Sequence, residues 1–364
     1  FKKKNYIQKS IKFTLAFVFV FCCFLSTNNG DVCAQDSAVL VSLEFENKGS
    51  IESLEAQMQD NITKRFYKLK LNSDGIFFEF IIPYQLTQNS KENNFRQIQS
   101  VGMSKCTTDK DNVDIPQKII VFGIECRDKL IEHEVDVLNK YCFQGNKSIV
   151  NVFIPNSVKT LGRRCFRGSC NLKNINIPDS VIYIDTACFV DCSSFTHIAI
   201  PSSVVKLSSS CFNSCMNLVE VSCLGFIKKI ENCCFRRCKS LKTISFANSK
   251  DYSEPTETII LPDSIDCICN CCFRDCSSVK AFVIPESVKK IGWDSFSGCS
   301  SLLSVIILAR NIDFPSQLSR SRFGGQAVIG KRELRIFYGC SSLQNFSYAG
   351  TLPEDFFENT FLYG

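Results

Sequence analysis

Phenylalanine returns at a fixed interval in the middle of this chain: Phe143, Phe166, Phe189, Phe212 and Phe235 are each 23 residues apart. Pro155, Pro178 and Pro201 keep the same spacing. A period of that length marks a repeat array, and it constrains the fold more than any other property of the chain. A single unit is too short to bury its own apolar side, so stability has to come from stacking, each unit covering the next. The stretch Ile154–Ile177, IPNSVKTLGRRCFRGSCNLKNINI, is a clear copy. Numbered from Ile154, the unit has an apolar residue at 1, Pro at 2, Val or Ile at 5 and Leu or Ile at 8. Cys at 12, Phe at 13, often Cys at 16, and apolar residues at 19 and 22 complete it.

Within the unit, Leu172-x-x-Ile175-x-Ile177 ends in a period of two and predicts a short strand with one buried face. Pro178 removes a backbone donor and ends the pairing. The Cys-Phe-x-x-Cys segment predicts one helical or tight turn. Copies begin at 131, 154, 177, 200, 223, 261 and 284, with an eighth that resumes at Phe337-Tyr-Gly-Cys340. Polar insertions interrupt the array near 246–260 and 311–333. The residues Ile115-Pro116, Ile119 and Phe122-Gly123 fit a degenerate first coil, so the solenoid is expected over 115–364. Residues 35–114 lack the period and predict a capping region. In it Val39–Phe45 and Gly75–Ile82 read as strands, Ser50–Lys64 as helical, and Leu86–Asp114 as loop.

The repeated residues resemble the leucine-rich repeats of the BspA-like family, the Treponema pallidum-type repeat, whose form is LxxIxIPxSVxxIGxxAFxxCxxL. Here Cys stands where that family often has Ala before Phe. The resemblance covers roughly 131–347. It implies a leucine-rich repeat solenoid, secreted or on the cell surface, that binds a protein partner such as a host or matrix protein. It implies no catalytic residues and no cofactor.

The formal charge of +6 is concentrated at the N-terminus. Residues 1–34 hold five Lys and one Asp, and without them 37 basic and 35 acidic residues remain. That balance gives no basic face for nucleic acid. The same 34 residues read as a signal peptide: Lys2, Lys3, Lys4, Lys9 and Lys12, then the apolar run Phe13–Leu25, then Val32-Cys33-Ala34. A run of 13 residues is short for a membrane span, and an uncleaved signal anchor is the alternative reading.

The chain has 23 cysteines. In a secreted protein that number suggests a disulfide framework. Most of them, however, fall at unit positions 12 and 16, where stacked equivalents point the same way about 4.8 Å apart, poor geometry for a disulfide. They are expected to be buried free thiols. Cys267, Cys269, Cys271, Cys272 and Cys276 form the densest cluster, but no spacing typical of structural zinc recurs. Cys233 and Cys271 both occupy position 11, which elsewhere carries Arg164 and Asp294 and is therefore expected to face water. These two are a candidate disulfide. Gly325-x-x-x-x-Gly330-Lys331-Arg332 nearly matches a phosphate loop but lacks the Ser or Thr after Lys, and reads as a solvent loop. No catalytic triad, HExxH or metal set emerges around the two histidines, His133 and His197. Asn61-Ile-Thr63, Asn146-Lys-Ser148 and Asn345-Phe-Ser347 are glycosylation acceptor patterns.

The candidate binding face is the outward side of the strand ribbon: Lys173, Asn174, Asn176, Thr196, His197, Glu220, Ser222, Lys242, Thr243, Ser245 and Lys280. Ala199, Val219, Ala281 and Val283 are expected beside them. An intracellular scaffold rich in reduced thiols is the alternative, and an enzyme housed in 35–114 or the insertions is the remote one.

Overall fold

The computed structural model describes residues 41–352, apart from 46–48, 53–54, 62–65, 74–75, 88–94, 99–100, 123–129, 248–256, 315–317, 324–325 and 332–334. The expected signal peptide at 1–34 and the stretch 353–364 lie outside the described residues.

Each unit contributes one rung to two parallel ribbons and one to a column of turns. The main ribbon comes from positions 21 to 24. Its first section is Asn112–Asp114, Asn151–Phe153 and Asn174–Asn176. The second is His197–Ile200, Glu220–Cys223 and Thr243–Phe246, and the third is Thr258–Ile260, Ala281–Ile284, Ser304–Ile307 and Asn345–Tyr348. Pairing is parallel and in register, as in Ile198 against Val221 and Val221 against Ile244. The second ribbon, from positions 7 and 8, runs through Thr160–Leu161, Tyr183–Ile184, Lys206–Leu207, Lys229–Ile230, Cys267–Ile268 and Lys290–Ile291. Alternation explains both ribbons: Val152, Ile198, Val221 and Ile244 are at most 5% exposed, while their neighbours point outward.

The third side of each coil is a turn, with no helix among the described residues. Every described residue with positive φ sits there, at position 11 or 15. Position 11 is Tyr141, Arg164, Ala187, Ser210, Cys233, Cys271, Asp294 and Arg335; position 15 includes Gly145, Gly168, Gly298 and Gly339. Two left-handed residues four apart close the turn and aim the side chains at 12 and 13 inward. Only glycine adopts this conformation without steric cost, which accounts for its recurrence at position 15. The Phe N–H at position 13 then donates to the position-12 carbonyl of the next coil, as from Phe166 to Cys188 at 2.9 Å and from Phe212 to Cys234 at 2.9 Å.

This ladder of turns carries the phenylalanine stack. Phe143, Phe166, Phe189, Phe212, Phe235, Phe273, Phe296 and Phe337 are each at most 1% exposed. Successive ring centroids are 4.8–5.7 Å apart and the planes differ by no more than 10°. The expected pile of rings is what the chain builds, and the register survives both insertions: Phe235 meets Phe273 across one, and Phe296 meets Phe337 across the other.

Sulfur fills the space beside the rings. Cys165, Cys188, Cys211, Cys234 and Cys272 at position 12 are fully buried. At position 16 the thiol is also a donor. Cys192, Cys215, Cys238 and Cys276 each donate to the Phe carbonyl one coil earlier, at 3.1 Å. Cys299 and Cys340 do so at 3.2 Å. Ser169 makes the same contact through its hydroxyl to Phe143 at 3.0 Å. Position 4 holds a second column of donors: Ser157, Ser180, Ser203, Ser264 and Ser287 each bond the position-5 carbonyl of the previous coil. These hydroxyls satisfy backbone acceptors that the ribbons leave over.

The N-terminal region is an antiparallel sheet that includes Glu55–Asn61, Phe66–Ser73, Ile76–Thr87 and Val101–Thr107. The expected helix over Ser50–Lys64 is not found, because Glu55–Asn61 pairs antiparallel with Phe66–Ser73. The expected loop over Leu86–Asp114 is largely strand, since cross-strand pairing overrides its polar composition. Leu130–Leu138 joins the N-terminal sheet to the solenoid. Its first half pairs antiparallel with Lys118–Phe122, and its second half pairs parallel with Val101–Thr107 and Thr160–Leu161. Parallel stacking thus includes 101–114, ahead of Ile115, while Lys118–Phe122 forms a hairpin where a degenerate coil was expected.

Candidate functional site: the strand ribbon

The insertions shape the ribbon differently. The first adds a rung: Thr258–Ile260 lies beside Thr243–Phe246 without pairing to it and pairs with Ala281–Ile284. The second adds a separate hairpin, Leu318–Phe323 against Gln326–Lys331. Gly330 and Lys331 of the near-match to a phosphate loop therefore lie in an antiparallel strand rather than at the start of a helix.

No backbone pairing joins Asn174–Asn176 to His197–Ile200, so the ribbon opens between its first and second sections. Ile175 and Ile177 are only half-buried there, unlike their equivalents above and below. The side chain of Asn176 turns back along the stack, accepting from the Ile154 N–H at 2.7 Å and donating to the Ile154 carbonyl at 2.9 Å. A hollow of about 540 Å³ lies over this opening. Lys173, Asn174, Asn176, His197, Glu220 and Ser222 line it, together with Asn112, Asp114, Asn151, Phe153 and Ala199.

The floor of the hollow is an amide ladder. Asn151 donates to Asn112 at 2.7 Å, and Asn174 donates to Asn151 at 2.6 Å. Position 21 then changes character: His197 Nδ1 contacts Thr196 Oγ1 at 3.0 Å, and His197 Nε2 lies 3.7 Å from Glu220. These side chains are exposed, so the pair contributes little to stability.

The remaining candidates lie outside the hollow. Thr196 adjoins it, Lys242 pairs with Glu257 at 3.0 Å, and Thr243, Ser245 and Lys280 lie further along. One expected member of the outward face is not there: Val283 is 4% exposed, beside Ile260 and Ile306 on the adjoining rungs. The far section of the ribbon is thus more apolar than the near one.

Thiol chemistry separates the cysteines into two groups. Burial pushes the ladder thiols up: Cys165, Cys188, Cys211 and Cys234 stand well above the ordinary thiol range, and Cys223 is pushed up to about 12. Two thiols move the other way. Cys233 is lowered to about 7, first by a hydrogen bond from the Cys271 thiol and then, against the effect of partial burial, by Arg236 and Arg274. Cys267 is lowered to about 7 chiefly by its bond to Cys269, the two sulfurs 3.7 Å apart. Cys271, expected at the surface, is 3% exposed. Its left-handed backbone, not solvent, is what position 11 has in common. Among the described residues no group of three or more His, Cys, Asp or Glu is placed to hold a metal ion. No helix among them is long and apolar enough to cross a membrane.

The family described as the BspA type leucine rich repeat region matches residues 136–256 and 248–320, in six copies, about half of the chain. The chain belongs to the BspA-type leucine-rich repeat family. Three solved structures are similar in fold. A T. pallidum leucine-rich repeat protein is 21% identical with a TM-score of 0.41, over 72% of this chain and 88% of that one. A leucine-rich cell surface protein from Faecalibacterium prausnitzii is 15% identical with a TM-score of 0.30, over 81% and 98%. The pneumococcal vaccine antigen PcpA is 15% identical with a TM-score of 0.33, over 81% and 91%. No curated protein matches the chain in sequence.

Proposed function

We propose that this BspA-type solenoid is secreted or displayed at the cell surface and binds a protein partner through its main ribbon, in adhesion to a host, a matrix or a neighbouring cell. The observation that carries the reading is the hollow over the opened ribbon, with its amide ladder and its mixed charges at Lys173, His197 and Glu220. Side chains repeated at one coil spacing suit an extended contact better than a buried small substrate. The leader-like residues 2–25 support export. Nothing in this mechanism turns over: contact is made and held.

A second reading, an intracellular scaffold, is favoured by the 19 free thiols among the described residues. Cell fractionation separates the two. The ribbon itself is tested by capture of surface and matrix proteins with the array, against an array carrying Lys173→Glu, Glu220→Lys, Lys242→Glu and Lys280→Glu. The altered array should lose the specific partner. Equal capture by both would remove the ribbon from the interface.

A further inference from the structure

The cysteines that stand apart from the ladder lie where the repeat is interrupted. Cys233 and Cys271 occupy position 11 of consecutive coils, both left-handed, at φ 57° and 54°. The coils are tied on either side of them: Ile230 bridges Ile268, and the Cys233 N–H donates to the Asn270 carbonyl at 2.9 Å. The Asn270 N–H donates in turn to Asn232 Oδ1 at 3.1 Å. These turn residues are one coil apart, about 4.8 Å, inside the Cα range that a disulfide spans, and the Cys271 thiol hydrogen-bonds the Cys233 sulfur, so the two side chains face each other. Two guanidinium groups flank the pair: Arg236 acts on Cys233 and Arg274 bonds Cys271. The buried Arg236 Nε makes no hydrogen bond, while Arg274 Nε lies 3.7 Å from Asp275 and its other guanidinium arm donates to Asp294 at 2.8 Å.

We propose that Cys233 and Cys271 close to a disulfide in an oxidising compartment and staple the two coils on either side of the insertion near 246–260, while the ladder thiols stay reduced. The ladder thiols at position 16 are committed as donors to Phe carbonyls, and those at position 12 are sealed from any reagent. Cys267 lies in the strand Cys267–Ile268 and Cys269 just past its end, with Ile268 between them fixed in the core, so joining them bends the end of that strand. The co-reactant is a low-molecular-weight disulfide such as oxidised glutathione. The Cys233 thiolate attacks one of its sulfurs and breaks its S–S bond, releasing one thiol and leaving a mixed disulfide. Cys271 loses its proton and attacks the Cys233 sulfur, releasing the second thiol. Two protein S–H bonds become one S–S bond, and the reagent leaves as two thiols. Partial exposure and low thiolate cost at Cys233 make it the attacking group.

The test needs no knowledge of the partner or of the compartment, so it stands or falls separately from the adhesion reading. The folded chain is incubated with oxidised glutathione, quenched with iodoacetamide and digested without reductant. A Cys233–Cys271 cross-linked peptide is expected, with the ladder cysteines alkylated only after unfolding. Oxidation should raise the thermal midpoint by about 5–10 °C, because the bond closes a loop longer than one repeat. Dithiothreitol should reverse the rise, and Cys233→Ser or Cys271→Ser should abolish it. Ser210 occupies the same position in another coil, so serine is compatible with the fold there. Alkylation of both cysteines after oxidation of the folded chain would overturn the proposal, as would a disulfide between Cys267 and Cys269 in its place.

Discussion

Ser295 and Ser169 are both fully buried serines in a column of cysteines, and they should respond to substitution with opposite signs. Ser169 stands at position 16 and donates to the Phe143 carbonyl at 3.0 Å. Ser295 stands at position 12, where five other coils carry fully buried cysteine, and its hydroxyl has no partner. A buried polar group left unpaired costs about 1–3 kcal/mol. Replacing Ser295 by Cys removes that cost and places sulfur in a site that neighbouring coils have already shaped for it. Ser295→Cys should therefore stabilise by about 1–3 kcal/mol, or roughly 2–10 °C in thermal midpoint for a body of this size. Ser169→Ala should destabilise by about 0.5–1.5 kcal/mol, the usual net contribution of a neutral hydrogen bond. Stacked repeats are coupled mainly to their neighbours, so a local probe is needed beside the melt. Hydrogen exchange of the Phe296 N–H, which bonds Ile336 at 3.0 Å, should slow in Ser295→Cys. Destabilisation by Ser295→Cys, or stabilisation by Ser169→Ala, would refute the reasoning that the column selects a weak donor at 16 and an apolar filler at 12.

Two further outcomes follow from the core and from a single histidine. Phe212→Ala removes a ring stacked on both faces, with centroids 5.5 and 5.6 Å away, and should cost about 3–5 kcal/mol by chemical denaturation. Phe226→Ala, at 63% exposure, should leave the midpoint unchanged within error. Burial lowers the His133 pKa, and its Nε2 is buried without a partner. The folded state therefore favours the neutral ring. Its stabilisation is fully present above the unfolded value near 6.5 and declines as pH falls through that value, because the unfolded chain takes up the proton first. Stability measured from pH 7.5 to 5 should fall more steeply in the natural protein than in His133→Gln.

Positions 12, 13 and 22 were legible in the sequence because one side-chain type recurs where the core admits only that size. Phe189 and Cys188 needed no structure to be placed. Position 11 misleads for a related reason. The charges of Arg164 and Asp294 point to solvent; what those residues share with Ala187 is a backbone angle set by the turn. The glycines at position 15 were the available hint. The serine column at position 4 is not legible in the sequence, because hydroxyls serving carbonyls one coil away leave no apolar period. Ser169, in line with Cys192 and Cys215, was the clue that those thiols are donors. In the ribbon, alternation gave the outward faces of Asn174 and Thr243, but not the opening beside Asn176, which depends on one amide turning back along the stack. The helical pattern over Ser50–Lys64 failed because a hairpin partner outweighed local periodicity.

The added rung at Thr258–Ile260 has a geometric consequence. On the opposite side of the stack, Ile230 still bridges Ile268 and Phe235 still lies 5.7 Å from Phe273. One flank of the column is therefore a strand taller than the others at a single level, like a wedge driven between two bricks. The solenoid axis must tilt there, fanning the ribbon outward. The amide-rich near section and the apolar far section consequently look in different directions, and a flat ligand that seats on one will stand clear of the other.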